Sequence, residues 1–257
     1  MFMTPLCWDA WKLRLEGKGY RVIVPAWPLH DRAPEVMRKA QPEKALGALT
    51  LDEVVASVEK VVRGLDEPPI LIGHSMGGLV VQLLLARGLG AAGVAIDSAP
   101  PKGIISLKYS FLKSNWGVIG PGADKDVAFL PSLEQFQYAF AHTHGDDEVR
   151  AIYERLVVPE SRKVGNGPTT AVAKIDFDKP RAPLLFVAGG EDHIIPASLN
   201  WKNYDAYEDS PALTEFREFP GRVHYTLGEK GWEEVADFAV DWAEHAATQA
   251  PPKAAAK

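Results

Sequence analysis

Residues 68–85 read PPILIGHSMGGLVVQLLL, and the hydrophobic period changes in the middle of them. Ile70, Leu71 and Ile72 make the short apolar run of a buried strand, while Leu79, Val80, Leu83 and Leu84 recur at helical spacing. Between the two stands Gly73-His74-Ser75-Met76-Gly77. A strand that turns at once into a helix crowds its own backbone, so Gly73 and Gly77 are read as the residues that relieve the crowding. The same strained turn lifts the Ser75 hydroxyl above the sheet edge, which makes Ser75 a candidate nucleophile. G-x-S-x-G alone is a weak signal; the strand before it and the helix after it carry the reading.

Outward from this stretch, strands and helices alternate. Thr4-Pro5 reads as a helix start, with Trp8, Trp11 and Leu15 on one face before Gly17 and Gly19. Residues 20–25 read as a strand, and residues 51–64 as an amphipathic helix that buries Val54, Val55, Val58, Val61 and Val62. Residues 93–96 give a second buried strand ending at Asp97. Later come a strand at 183–187, a helix at 197–207, a strand at 213–219 and a last helix at 231–245. This alternation predicts an α/β fold with a mostly parallel, doubly wound sheet covered on both faces.

Residues 103–180 break the alternation for far longer than the usual connection of about two to six residues. They are read as a helical lid inserted into a core formed by residues 1–102 and 181–248. Ser132 and Gln135 make a capping box ahead of Phe136 and Phe140, a second helix carries Val149, Ile152, Tyr153 and Leu156, and residues 162–168 read as a flexible stretch. The Ala, Pro and Lys tail at 249–257 is expected to be disordered.

With 257 residues and 46% hydrophobic content, the chain can bury one large core. Its net charge of −6 comes from interspersed charges with no basic stripe, which argues against nucleic acid and for a small-molecule partner. Cys7 is the only cysteine, so no internal disulfide framework exists. No apolar run approaches the roughly 20 residues of a membrane span, and the first residues lack a signal-peptide pattern. A soluble cytoplasmic protein is expected.

A serine needs a base to act as a nucleophile, and the base needs an orienting acid. Asp192 lies in Gly189-Gly190-Glu191-Asp192-His193, at the carboxyl end of a predicted parallel strand, where sites in such sheets gather. His224 comes after the next strand in Gly221-Arg222-Val223-His224. Glu191 and Asp97 are the competing acids. His193 reads as a loop residue, and His142 with His144 lacks the cysteine or carboxylate context of a metal site, so no metal or other cofactor is expected. His74, Trp116, Phe136 and Phe140 are candidates for the lining of an acyl pocket, the aromatics being equally suited to the insertion's own core.

The chain resembles the α/β-hydrolase superfamily over nearly its full length, on GHSMGG, GGEDHIIP and PGRVHYT. The resemblance implies that Ser75 is the nucleophile, Asp192 the acid, His224 the base and the Met76 N–H one oxyanion donor. An aspartate in place of the serine marks the dehalogenase and epoxide hydrolase branches, and Ser75 argues against both. The implied activity is cleavage of a carboxylic ester or related acyl compound through an acyl-enzyme. The alternatives are a non-catalytic small-molecule binding protein on the same fold, or acyl transfer or C–C cleavage by the same triad. Members of the superfamily normally carry a strand ending in His-Gly ahead of the second oxyanion donor. Here MFMTPLCW resembles the segment just after that His-Gly, so Met1 or Phe2 falls at the second donor, and the strand expected between residues 20–25 and the elbow strand is missing. A start assigned too late and a genuine loss of catalysis are the two explanations.

Overall fold

The computed structural model describes residues 1–120, 124 and 126–249. A 3₁₀ turn at Pro5–Trp8 leads into α1 (Asp9–Gly17), after which come α2 (Pro34–Lys39), α3 (Lys44–Ala48) and α4 (Leu51–Arg63). Then come β1 (Ile70–His74), α5 (Met76–Ala86) and β2 (Ala92–Ile96). Among the described residues, four α-helices separate β2 from the next strand: α6 (Tyr109–Ile119), α7 (Leu133–Phe140), α8 (Asp146–Leu156) and α9 (Arg162–Asn166). The chain closes with β3 (Leu184–Gly189), α10 (Ala197–Asp205), β4 (Thr214–Phe219) and α11 (Trp232–Gln249).

The described strands form one sheet in the order β1-β2-β3-β4, every pair parallel. Parallel neighbours need crossover segments, and those segments lie on both faces of the sheet. On one face Ala95, Leu184 and Phe186 pack with α4, α5 and Leu199 of α10. On the other, Val94, Ile96, Leu185 and Val187 pack with Trp11 of α1 and with Val235, Ala236 and Ala239 of α11. The central strands β2 and β3 are therefore buried at every position. Local chemistry agrees with the layers. Thr50 and Glu53 cap α4 reciprocally, as Ser132 and Gln135 cap α7, satisfying backbone N–H groups that a helix start leaves without partners.

Residues 20–25 do not form the expected strand, and none of them is buried. A strand exists only if a partner lies about 4.8 Å away. Between this stretch and β1 there is instead a cavity of about 640 Å3, bordered by Val22 and Val24 on one side and by Ile70 and Ile72 on the other. Val58 and Val81 form part of its floor and Trp8 and Trp11 part of its wall. β1 is consequently an edge strand with alternating burial, although its sequence is apolar throughout. An unpaired apolar edge between two helical layers is an energetic liability. Appending an apolar strand of about five residues ahead of Met1 is expected to raise the melting temperature by about 5 °C or more, as apolar surface leaves water. An unchanged thermal melt would mean that the cavity does not accept a strand.

A second departure concerns residues 162–168. They are helical in α9 and in the adjoining 3₁₀ turn at Gly167–Thr169, with Val164 and Gly167 buried. The glycine that suggested flexibility lets Leu51 of α4 pack closely, since a Cβ at Gly167 would overlap the Leu51 side chain. Of the tail read as disordered, Gln249 ends α11 and 250–257 lie outside the described residues. Among the described residues, no helix is long and apolar enough to cross a membrane.

Candidate active site

Ser75 sits between β1 and α5 with φ 57 and ψ −120, a region that residues with a side chain rarely occupy. Its surroundings hold it there. The Ser75 N–H donates to the Ile96 carbonyl at 2.8 Å, and its own carbonyl accepts from the N–H groups of Gly78 and Ala99, each at 3.0 Å. The close approaches fall at Gly73 and Gly78: a Cβ at Gly73 would overlap the Gly77 carbonyl, and one at Gly78 the Ser98 side chain. Gly77, expected to share this duty, faces open space, with nothing within 4 Å of where its Cβ would stand. The turn thus requires its second glycine one residue later than the G-x-S-x-G pattern suggests.

Asp192 and His224 reach the serine from the ends of β3 and β4. His224 Nε2 lies 3.0 Å from Ser75 Oγ, and His224 Nδ1 lies 2.6 Å from Asp192 Oδ2. The other carboxylate oxygen of Asp192 accepts from the N–H groups of Ile194 and Ile195 at 2.7 and 2.9 Å, so the acid loop locks the carboxylate in place. Both Asp192 and His224 are buried, while Ser75 is half-buried. Because Nδ1 faces a carboxylate, it carries the proton, and Nε2 is left to accept one from the serine. Of the competing acids, Asp97 lies buried at the end of β2 and accepts from the Gly189 N–H at 2.7 Å. Glu191 stays out of the relay, since the His224 Nδ1 proton is taken by Asp192.

Burial lowers the proton affinity of His224, and the positive Met1 amine pushes in the same direction. Burial raises Asp192, while the two backbone N–H groups pull it back. A depressed imidazole stays neutral to lower pH than a free one, which titrates near 6.5. The base form is therefore present at neutral pH and is lost as pH falls through the lowered value. The acid limb of kcat/KM is expected to have its midpoint below 6.5, and a midpoint at or above 6.5 would contradict the burial argument.

The other sequence candidates divide. The Met76 N–H heads α5, where the first helical amides have no partner inside the helix and the helix dipole favours negative charge. Phe2 has φ 63, and its carbonyl accepts from the Val158 N–H at 3.0 Å, while Met3 bridges Val157 in antiparallel fashion. The Met1 amine is buried, and burial lowers its pKa against the pull of Glu160. Phe140 stands edge-on to His224 with ring centroids 5.0 Å apart, and Phe2 stands edge-on to Phe140 at 6.4 Å. Phe136 is fully buried and stacks on Phe140 at 4.8 Å, so it supports the site from behind. Trp116 does not join them. It is 58% exposed, because α6 turns its buried residue Val118 toward α9 and leaves the indole at the surface. His74 lines the cavity beside β1. Its Nε2 donates to the His224 carbonyl at 2.8 Å, so it braces the histidine loop.

Sequence reasoning missed the ties between the β2–β3 segment and the site. The His193 ring bonds the Tyr138 carbonyl at 2.8 Å and stacks on His142 at 3.7 Å. Asn115 of α6 donates to the Ile194 carbonyl at 3.3 Å, and the Tyr225 N–H donates to the Phe140 carbonyl at 2.9 Å. The helices between β2 and β3 are thus tied to the loop after β3 and the loop after β4 alike. No sequence signal marks these contacts, since most use backbone carbonyls.

The chain belongs to the alpha/beta hydrolase family, whose model matches residues 1–245. Among solved structures it is similar to tomato methylketone synthase I in a variant complexed with β-ketoheptanoate, with a TM-score of 0.70 and 14% identity over 95% of each chain. It is also similar to a pyrethroid hydrolase from Sphingobium faniae JZ-2, with a TM-score of 0.68 and 16% identity over 95% of this chain and 94% of that one. A monoacylglycerol lipase from Paleococcus ferrophilus has a TM-score of 0.66 and 19% identity over 97% of this chain and 92% of that one. At these identities the likeness is one of fold. Among curated proteins, no sequence relative matches.

Proposed function

We propose that the protein is a serine hydrolase that cleaves a carboxylic ester or a related acyl compound through an acyl-enzyme on Ser75. The observation that supports this reading is a single relay, Ser75 to His224 to Asp192, with contacts of 3.0 and 2.6 Å. In this reading Ser75 Oγ attacks the acyl carbon while its proton passes to His224 Nε2. Asp192 holds Nδ1–H and balances the imidazolium charge. The Met76 N–H, with Met1 or Phe2 as the second donor, receives the developing oxyanion. Collapse expels the alcohol, which takes the proton from His224, and water then repeats the sequence to release the acid. No step calls for a metal or an organic cofactor.

Residues 103–180 act in this reading as the lid, since their helices are anchored to both catalytic loops and bring Phe140 against His224. Excluding water there strengthens every electrostatic contact of the relay. A panel of short-chain p-nitrophenyl esters tests the proposal. Continuous release of nitrophenol, saturable in ester, is expected. Saturable binding without release would make the protein a receptor on a hydrolase fold.

A further inference from the structure

Asn200 lies near the start of α10, is completely buried, and uses both ends of its side-chain amide. Its Oδ1 accepts from the Ser98 N–H at 2.9 Å, and its Nδ2 donates to the Ile195 carbonyl at 3.1 Å. The two peptides joined in this way are each one step from the site. Ala99, next to Ser98, donates its N–H to the Ser75 carbonyl at 3.0 Å, and the Ile195 N–H donates to Asp192 Oδ1 at 2.9 Å. One side chain therefore ties the segment after β2, which holds Ser75, to the loop after β3, which holds Asp192. Ser98 is fixed from its other side as well. Its hydroxyl accepts from Gln82 Nε2 at 2.8 Å, and the Tyr207 hydroxyl donates to Gln82 Oε1 at 3.0 Å. Asn203, further along α10, is buried as completely, yet among the described residues neither end of its amide has a hydrogen-bond partner.

We propose that Asn200 is a positioning residue of this site, a clamp that sets how far apart Ser75 and Asp192 stand so that the His224 ring reaches both. The inference rests on the triad reading of Ser75, His224 and Asp192. The clamp needs an acceptor facing Ser98 and a donor facing Ile195, and a side-chain amide supplies both from one rigid plane. A leucine supplies neither. It leaves a buried N–H and a buried carbonyl without partners, and the two segments shift to find others. Both bonds of Asn200 go to backbone, so its effect passes through the geometry of the relay and not through contact with substrate. The distances at stake are 3.0 Å from Ser75 Oγ to His224 Nε2 and 2.6 Å from His224 Nδ1 to Asp192 Oδ2. Reaction along that row is steep in distance, whereas the binding of an ester does not depend on it.

The test compares Asn200→Leu with Asn203→Leu, the same substitution at two buried positions of one helix, with p-nitrophenyl acetate as substrate. In Asn200→Leu, kcat should fall about 20-fold while KM stays within about twofold. Asn203→Leu removes a buried amide that has no partner, so it should keep kcat within about twofold and hold or raise the melting temperature. A second readout needs no turnover. The proton on His224 Nδ1, held against Asp192, resonates far downfield in the proton NMR spectrum. It should move upfield or broaden in Asn200→Leu and stay in place in Asn203→Leu. A purely structural Asn200 lowers the melting temperature alone, with kcat and the Nδ1 resonance of the folded protein unchanged, and that result would overturn the inference. Equal losses of kcat in the two variants would overturn it too. Should Asn200→Leu fail to fold, Asn200→Ala removes the same two bonds without added bulk and carries the same expectation. Loss of the fold in both would make Asn200 a stability residue and reject the clamp. A wild-type protein that turns over no ester would instead defeat the hydrolase reading, leaving Asn200 to be judged on the Nδ1 resonance.

Discussion

Replacing Ser75 by alanine is expected to lower kcat for aryl-ester hydrolysis by about 10⁴-fold or more, leaving only what binding and the oxyanion donors supply. Ser75 is half-buried and, among the described residues, its hydroxyl hydrogen-bonds His224, so little packing depends on it. The melting temperature should stay within about 2 °C of the wild type, since a change that disturbs no core contact alters stability by roughly 0.5 kcal/mol. Activity and stability must separate in this variant. A loss of both would mean that Ser75 is a structural residue of the turn. Hydrolysis near the wild-type rate would place the nucleophile elsewhere.

Gly73→Ala is expected to be severely damaging, and Gly77→Ala to be harmless. A Cβ at Gly73 would overlap the carbonyl of Gly77 and press on Val81, and the first of these is backbone that cannot rotate away. Overpacking of this kind costs about 1–3 kcal/mol or more, equivalent to a fall of roughly 2–12 °C in melting temperature for a chain of this size. The displaced elbow should also lose about 100-fold or more in kcat, because a shift near 1 Å separates Ser75 Oγ from His224 Nε2. At Gly77 the position is helical and open, so alanine should hold the melting temperature or raise it by up to about 3 °C, the worth of about 1 kcal/mol of helix preference, while retaining activity. Thermal melts and ester turnover on the two variants decide the matter. Equal damage at both positions would mean that the motif glycines act together and that the steric difference between them is not real.

The elbow is legible in the sequence because everything that makes it is local: an apolar run, a helical repeat and small residues between them. The capping boxes at Thr50 and Ser132 are local for the same reason. Residues 20–25 mislead because a strand is a property of a pair. Their alternation is suitable, yet the neighbour that would complete a ladder is replaced by a cavity. Gly77 and Gly78 cannot be told apart from the pattern, since the difference lies in Ser98, which approaches from the end of β2. Gly167 misleads in the opposite way, for its glycine serves close packing against Leu51.

For the candidate site, which side chains can meet is set by where strands end, so Ser75, Asp192 and His224, which the structure brings into one hydrogen-bonded row, can be picked out as a group from their places after strands. The side-chain environment cannot. Trp116 and Phe136 carry the same aromatic signal, but one is at the surface of α6 and the other is buried beneath Phe140. His74 reads as a pocket residue because of its position in the elbow, whereas its ring bond to the His224 carbonyl depends on a contact 150 residues away in sequence.

The most direct test of the acyl-enzyme mechanism is to treat the wild-type protein with a fluorophosphonate and map the adduct by peptide mass spectrometry. A single stoichiometric adduct on the peptide containing Ser75 is expected, formed faster as pH rises through the His224 ionisation and absent from His224→Ala. An adduct on another residue, or ester turnover that persists in protein that takes up no label, would contradict it.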